Sequence, residues 1–169
     1  MDGAIFFATK YGSTAQYAEW ISAATGLPAF DVKTSKVDPL GYDFLVLGSA
    51  VIYFKPIIHQ WVKRHLAGIE KKPVVLFTVS GAPAGPKLDR WIAKNLPQPL
   101  VMRMQHIALR GRQIPGELAL FDRVMLSIAG LMNPDRTAAR EEMLGFDYMD
   151  KNSIGPVVER VGLLQSAKP

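Results

Sequence analysis

The sequence predicts an α/β fold in which a doubly wound, five-stranded parallel sheet carries helices on both faces. Short apolar runs of the length of buried strands alternate along the chain with segments of helical period. Strands that alternate with helices imply right-handed crossovers and therefore parallel pairing. Several polar or glycine-containing stretches directly follow strands, which is where an open parallel sheet places its ligand site.

The composition indicates one globular domain spanning residues 1–169. Hydrophobic residues make up 49% of the chain, which is enough for a full core. There is no cysteine, so disulfides, thiol chemistry and zinc–cysteine sites are excluded. We expect a cytoplasmic protein, because the N-terminus lacks the basic region of a signal peptide and no apolar run is long enough to span a bilayer.

The charge distribution argues against a nucleic-acid partner. The formal net charge is +5, but the basic residues are scattered and no nucleic-acid recognition motif accompanies them. A modest positive charge favours instead an acidic substrate, an acidic partner or an anionic membrane surface.

The clearest functional pattern is a strand, a hydroxyl-rich turn and a helix near the N-terminus. The run Ala4–Ala8 predicts a buried strand, and a helix capped by Ser13 or Thr14 is expected to run to about Ala24. Unpaired amides and the helix dipole attract an anion at such a position. We therefore predict a phosphate site in the turn made of Thr9, Lys10, Tyr11, Gly12, Ser13 and Thr14. The alternative is a plain capped helix start, although capping alone does not require so many hydroxyls.

The remaining elements follow from the same patterns. Further strands are predicted at Ala29–Val32, Phe44–Ala50, Pro73–Val79 and Leu100–Leu109. Further helices are predicted from Pro56 to about Ala67, and over Lys87–Asn95, Gly116–Met132 and Ile154–Leu164. The charged segment Arg136–Asp150 receives no assignment.

Three loops are expected to converge at one edge of the sheet, because each follows the carboxyl end of a strand. The second loop, after the turn described above, contains Ser49, Ala50, Val51, Ile52, Tyr53 and Phe54. The third runs to Ala84 and begins with Ser80, Gly81 and Ala82. A phosphate cradle, an aromatic wall and accessible amides are together the features of a flavin mononucleotide (FMN) site. Ordinary packing aromatics and a plain turn are the alternatives for the second and third loops.

The turn Thr9–Thr14 resembles the phosphate loop of flavodoxins, with its Thr-x-x-Gly-x-Thr pattern between a strand and a helix. This resemblance implies a flavodoxin-like fold with strand order 2-1-3-4-5 and noncovalently bound FMN. Within that fold the chain is most similar to the menaquinone-dependent protoporphyrinogen oxidase group. The matching stretches are Ser49–Tyr53, Trp61–His65, Ala108–Arg110, Phe121–Arg123, Pro134–Asp135 and Phe146–Tyr148.

The resemblance implies an FMN-dependent oxidoreductase that acts on a porphyrinogen or a quinone, with a redox partner protein. It also implies that Tyr53 stacks on the flavin ring and that amides near Ser80–Ala82 bond to its pyrimidine edge. Where the group typically has Arg-Tyr-Gly, this chain reads Ile52-Tyr53-Phe54. Two other functions stay open: a flavodoxin-type electron carrier without its own substrate, and a non-catalytic binding module without flavin.

Other conspicuous residues are expected to be structural. The three tryptophans are expected to be in the core or half-buried: Trp20, Trp61 and Trp91. The three histidines show no metal-ligand spacing and are expected at the surface or at helix ends: His59, His65 and His106. No metal site is predicted. Arg110 and Arg112 could meet an acidic substrate or lie in a solvated loop. The helix Gly116–Met132 is expected to pack its apolar face on the sheet, with a second subunit or peripheral contact with the inner face of a membrane as alternatives.

Overall fold

The computed structural model describes residues 1–125 and 144–167. Its parallel strands are β1 (Gly3–Ala8), β2 (Ala29–Asp31), β3 (Phe44–Ile52), β5 (Val74–Ser80) and β6 (Gln105–Arg110), and a short strand β4 (Lys55–Pro56) pairs antiparallel with the end of β3. The order across the sheet is β2-β1-β3-β5-β6. This is the predicted order 2-1-3-4-5 once β4 is set aside, so the fold class is confirmed.

Helices cover both faces of the sheet. They are α1 (Ser13–Thr25), α2 (His59–Ile69), α3 (Pro86–Asn95), α4 (Gln98–Val101) and α5 (Gly155–Ser166). One core layer joins α1 and α5 to the sheet, and the other joins α2, α3 and α4 to the opposite face. All seven residues of β5 are buried, as expected for a central parallel strand covered on both faces. Trp20, Trp61 and Trp91 are half-buried, as predicted.

The topology fixes where the site lies. Strands β2 and β3 lie on opposite sides of β1, so the connections reverse direction there. A crevice forms beyond the carboxyl ends of the strands at such a switch point. The loops that follow β1, β3 and β5 therefore come together at one edge of the sheet.

The segment after β3 differs from the prediction of an irregular loop followed by a helix. Strand β3 continues to Ile52, and β4 returns antiparallel to it, so Pro56 lies in a strand and α2 begins at His59. The two residues between the strands, Tyr53 and Phe54, have φ angles of 49° and 63°. A two-residue turn with positive φ at both positions matches the twist of the flanking strands. The usual Asn-Gly signal is absent, which is why the sequence did not indicate this hairpin.

The strand predicted over Leu100–Leu109 is wrong at its start. Residues Gln98–Val101 form α4, and the strand begins at Gln105. Leu100 is buried in the layer that contains α3. A short apolar pattern cannot by itself distinguish one helical turn from a strand, so packing decided this segment.

The described residues from 112 to 147 form a second, two-stranded sheet and two short helical turns. Strand β7 (Arg112–Gln113) pairs antiparallel with β8 (Phe146–Asp147). Residues 115–117 form a 3₁₀ turn and residues 120–125 are helical, so the predicted helix starts later than Gly116. The remaining residues of this predicted helix, 126–132 with Ile128 and Met132, lie outside the described residues. Residues 136–143 of the segment without an assignment lie outside them as well.

The apolar side chains at the start of this helix do not pack on the sheet. Leu120, Phe121, Val124 and Met125 are between 37% and 77% exposed. The expectation that this face belongs to the core is therefore wrong over residues 120–125. Within the described ranges, no helix is long and apolar enough to cross a bilayer.

Candidate functional site

The ends of β1, β3, β5 and β6 open into one cavity of about 750 Å³. All three predicted loops contribute to its walls, with Thr9, Lys10, Tyr11, Ser13 and Thr14 from the first, Ala50, Val51, Ile52, Tyr53 and Phe54 from the second, and Ser80, Gly81 and Ala82 from the third. This size is within the range of cavities that hold a cofactor or a drug-sized ligand. The structure thus brings the sequence-predicted loops together.

Two of the predicted site residues, Gly12 and Ser49, do not line this cavity. Ser49 is fully buried; its hydroxyl donates to the carbonyl of Ala50 at 2.9 Å and accepts from the amide of Ile58 at 3.2 Å. It therefore ties the end of the parallel ladder to the start of α2. Gly12 acts through its backbone, since it adopts the left-handed conformation at the N-cap of α1.

The start of α1 is arranged to bind an anion. Gly12 has φ 85° and ψ −23°, and its amide donates to Thr9 Oγ1 at 3.1 Å. No side chain in the described part of the chain caps the helix, and Ser13 and Thr14 are first-turn residues and not the N-cap that was predicted. The amides of a first turn have no partner within the helix. They are consequently available to an anion together with the positive end of the helix dipole.

A buried hydroxyl adds to this anion site. Thr14 is fully buried, and its Oγ1 has no hydrogen-bond partner among the described residues although the residue lines the cavity. The neighbouring Ser13 hydroxyl is used differently, because it lies 3.3 Å from the amide and 3.4 Å from the carbonyl of Arg112. Ser13 thus holds the start of α1 against β7, whereas Thr14 remains unsatisfied.

The first two loops are connected by a carboxylate that the sequence analysis named only within the matching stretch Phe121–Arg123 and gave no role in the site. Asp122, in the helical segment 120–125, is only 3% exposed. Its Oδ2 accepts from Lys10 Nζ at 2.5 Å and from the hydroxyl of Tyr11, and its Oδ1 accepts from the hydroxyl of Tyr53 at 2.5 Å. The amide of Ala119 also donates to the Tyr11 hydroxyl at 3.3 Å. We call Lys10, Tyr11, Tyr53 and Asp122 the Asp122 cluster.

The Asp122 cluster keeps its charges over the whole physiological pH range. Burial disfavours the carboxylate, but hydrogen bonds from Lys10, Tyr11 and Tyr53 outweigh it and lower the pKa of Asp122 to about 2. Burial and the bond to this anion raise the pKa of Tyr53 to about 12. The hydrogen bond to Asp122 also raises the pKa of Lys10. Both loops are therefore held by an anion that does not titrate near neutral pH.

Aromatic contacts shape the other end of the cavity. A Cβ atom on Gly81 would lie 2.5 Å from Cζ of Phe146, so only glycine allows this ring to approach the third loop. Phe146 stacks on Tyr148 with 5.2 Å between ring centroids, and Cζ of Arg110 lies 4.0 Å from the Tyr148 centroid. On the opposite wall, Phe54 packs against Trp91 at 4.7 Å, which agrees with the alternative of an ordinary packing aromatic.

The histidine that differs most from expectation lies outside the cavity. His106 Nε2 is 2.8 Å from Thr78 Oγ1, and its Nδ1 is 3.1 Å from Asp89 Oδ1. Thr78 is fully buried within β5, so the arrangement joins α3 to the sheet and presents no nucleophile. Burial lowers the pKa of His106, more strongly than the bond to Asp89 raises it. No group of three potential metal ligands occurs in the described part of the chain.

The match to known families agrees with this cavity at the switch point. A model described as "Flavodoxin domain" matches residues 4–139. The chain belongs to the flavodoxin domain family. No match was found among curated proteins.

Solved structures share the architecture of this flavodoxin domain. A flavodoxin, WrbA-like protein from Agrobacterium tumefaciens superposes with a TM-score of 0.52 at 13% identity, covering 99% of each chain. A flavoprotein in complex with FMN from Lactobacillus acidophilus has a TM-score of 0.47 at 15% identity and covers 64% of this chain and 91% of its own. Fusobacterium nucleatum flavodoxin bound to FMN has a TM-score of 0.46 at 16% identity, with coverages of 67% and 71%. Such likeness concerns the fold alone, and none of these comparisons supports the finer grouping with protoporphyrinogen oxidases.

Proposed function

We propose that this flavodoxin domain binds FMN noncovalently and acts as an FMN-dependent oxidoreductase. Membership of the flavodoxin domain family supports FMN as the cofactor, and the residues present fit it. The amides at the start of α1, with Thr9 and Thr14, would hold the phosphate. Tyr53 would lie against the ring, and the amides of Ser80–Ala82 would bond to its pyrimidine edge. The bound flavin supplies the electron-transfer chemistry, while the protein binds, orients and tunes it.

The observation that carries this proposal is the unpaired hydroxyl of Thr14. Its Oγ1 is buried in the cavity wall without a hydrogen-bond partner in the described structure. Leaving a buried polar group unpaired destabilises a fold, by about 1–3 kcal/mol. A phosphate oxygen placed at the first-turn amides would accept a hydrogen bond from this hydroxyl. The site is thus complete only when an anion occupies it.

Two threonines test the phosphate assignment. Purified protein should show a yellow absorption band after FMN is added. The double variant Thr9→Val, Thr14→Val keeps the β-branched shape but loses two hydroxyls, so FMN affinity should fall roughly 100-fold at about 1.5 kcal/mol per bond to a charged group. Thr25→Val is the matched control at the other end of α1, where the hydroxyl bonds to the carbonyl of Ile21. An unchanged dissociation constant in the double variant would rule out the phosphate assignment.

We propose that a porphyrinogen is the substrate that donates electrons to the flavin, and that a quinone accepts them from it. The described cavity walls carry four basic side chains, Lys10, Lys87, Arg110 and Arg112, and a single carboxylate, Asp122. Exposed apolar side chains at residues 120–125 lie next to this cationic cavity, since Asp122 itself lines it. A lipophilic reactant with acidic groups suits that combination. The cytoplasmic location, a redox partner protein and contact of residues 116–132 with a membrane stay predictions.

Turnover separates the oxidoreductase from an electron carrier. Dehydrogenation of a porphyrinogen, with a water-soluble quinone analogue as acceptor, should be catalytic with FMN-loaded protein. A protein that is reduced by a flavodoxin reductase but shows no turnover would be a carrier. A colourless protein that takes up no FMN would be the binding module without flavin.

A further inference from the structure

We propose that Arg110 provides the positive charge that stabilises the reduced, anionic flavin ring, an inference that rests on the proposed FMN site. Arg110 is the last residue of β6 and lies in register with Ser80, the last residue of β5. Ser80 opens the loop whose amides are proposed to face the pyrimidine edge of the ring. A cation at this place would lie beside the part of the flavin that gains negative charge on reduction.

The guanidinium of Arg110 is held on the side of the third loop by stacked rings. Its Cζ lies 4.0 Å from the centroid of Tyr148, and Tyr148 stacks on Phe146. Phe146 in turn lies against Gly81, where even a Cβ atom would collide with the ring. A guanidinium over an aromatic face stays charged and keeps a defined orientation. These contacts connect the guanidinium to the third loop through Tyr148 and Phe146, and so hold the charge on that side of the cavity.

Arg110 also has an unused hydrogen-bond donor. Its Nε is buried and has no partner among the described residues, although the residue lines the cavity. The other basic residues of the cavity are arranged differently. Lys10 is paired with Asp122. Nζ of Lys87 lies 5.4 Å from the ring centroid of Trp91. The side chain of Arg112 is exposed. Only Arg110 among these four combines a buried unpaired donor with the absence of a described carboxylate partner.

The second and third loops carry no charge, and Lys10 of the first loop is paired with Asp122. Neither the second loop, Ser49–Phe54, nor the third, Ser80–Ala84, contains a charged residue. Electrostatic stabilisation of an anionic ring must then come from a neighbouring strand or from backbone amides. The end of β6 is the neighbouring strand that places a cation there.

Measurement of reduction potentials tests this role. The dissociation constants of oxidised and reduced FMN and the two-electron midpoint potential should be measured for the wild type, Arg110→Gln and Arg110→Lys. In Arg110→Gln, reduced FMN should bind about tenfold more weakly relative to oxidised FMN, which corresponds to a potential lower by about 30 mV. Arg110→Lys keeps the charge and should stay closer to the wild-type potential.

Two further variants make the test specific. Lys87→Gln removes the same charge from the opposite wall and should shift the potential less than Arg110→Gln does. Arg110→Met keeps the packing on Tyr148 without the charge and replaces the Gln variant if that variant does not fold. An unchanged potential, an equal shift in Lys87→Gln, or equal weakening of both FMN forms would overturn the role of Arg110 and leave the FMN site standing. A wild-type protein that binds no FMN would overturn both proposals.

Discussion

The hydroxyl of Tyr53 donates to Oδ1 of Asp122 at 2.5 Å, although 69 positions separate the two residues in the sequence. Through this bond the helical segment 120–125 holds the turn of the β3–β4 hairpin, while Lys10 and Tyr11 connect the same carboxylate to the first loop. Two walls of the cavity thus share one anchor. Tyr53 has a φ angle of 49°, a conformation that needs support from its surroundings.

Removing the charge of Asp122 should change the titration of Tyr53. The pKa of Tyr53, about 12 in the wild type, should fall in Asp122→Asn, because the anion that opposes the phenolate is lost. Burial remains, so the pKa should stay above the ordinary tyrosine value of 10.0. Carbon-13 NMR of labelled tyrosine measures this directly. Asp43→Asn, which alters a carboxylate bonded to the amide of Asp2, is the control and should leave Tyr53 unaffected.

The same carboxylate should contribute stability that is lost in acid. The folded-state pKa of Asp122 is about 2, below the ordinary aspartate value of 3.8. Since the unfolded chain binds the proton more readily, this contribution is complete above about pH 4 and disappears as the pH falls towards 2. The free energy of unfolding should therefore fall less steeply with acidification in Asp122→Asn than in the wild type. Parallel pH profiles from urea denaturation would contradict this expectation.

His106 should make stability depend on pH nearer neutrality. Burial lowers its pKa below the ordinary histidine value of 6.5, so the unfolded chain binds the proton more readily. Stability should then be lost as the pH falls through about 6.5 and below. Urea midpoints measured between about pH 8 and pH 5 should fall less in His106→Gln than in the wild type. His65→Gln on α2 is the control, and a wild-type slope in His106→Gln would argue against this role.

Alanine variants of the two glycines that flank α1 should distinguish an effect on protein stability from an effect on FMN affinity. Gly12 at the start and Gly26 at the end have φ angles of 85° and 74°. Alanine at either position should lower stability by about 1–2 kcal/mol, because a side chain is disfavoured in the left-handed region. Only Gly12→Ala should also weaken FMN binding, since it displaces the first-turn amides. Thermal unfolding and FMN titration of both variants check this, and an equal loss of affinity in Gly26→Ala would contradict it.

The sequence by itself determined the features that depend on neighbouring residues. The strand–turn–helix unit around Thr9–Thr14 was predictable, because a buried strand, a glycine that allows positive φ and a run of hydroxyls all act locally. The alternation of strands and helices then determined the parallel sheet, and the parallel sheet determined the edge where three loops meet. For that reason most of the predicted site residues do line the cavity.

Only the tertiary structure decided the contacts between distant parts of the chain. Asp122 approaches Lys10 across 112 positions, and no local pattern marks a single carboxylate in an apolar helix as the anchor of two loops. Likewise the sequence left Arg110 either meeting an acidic substrate or lying in a solvated loop, and only the tertiary structure shows its contact with Tyr148, 38 positions away. Local sequence specifies backbone conformation and which face is apolar, whereas packing free energy decides which distant side chains meet. The loops that line the cavity could therefore be predicted from the sequence, whereas the long-range contacts that connect them could not.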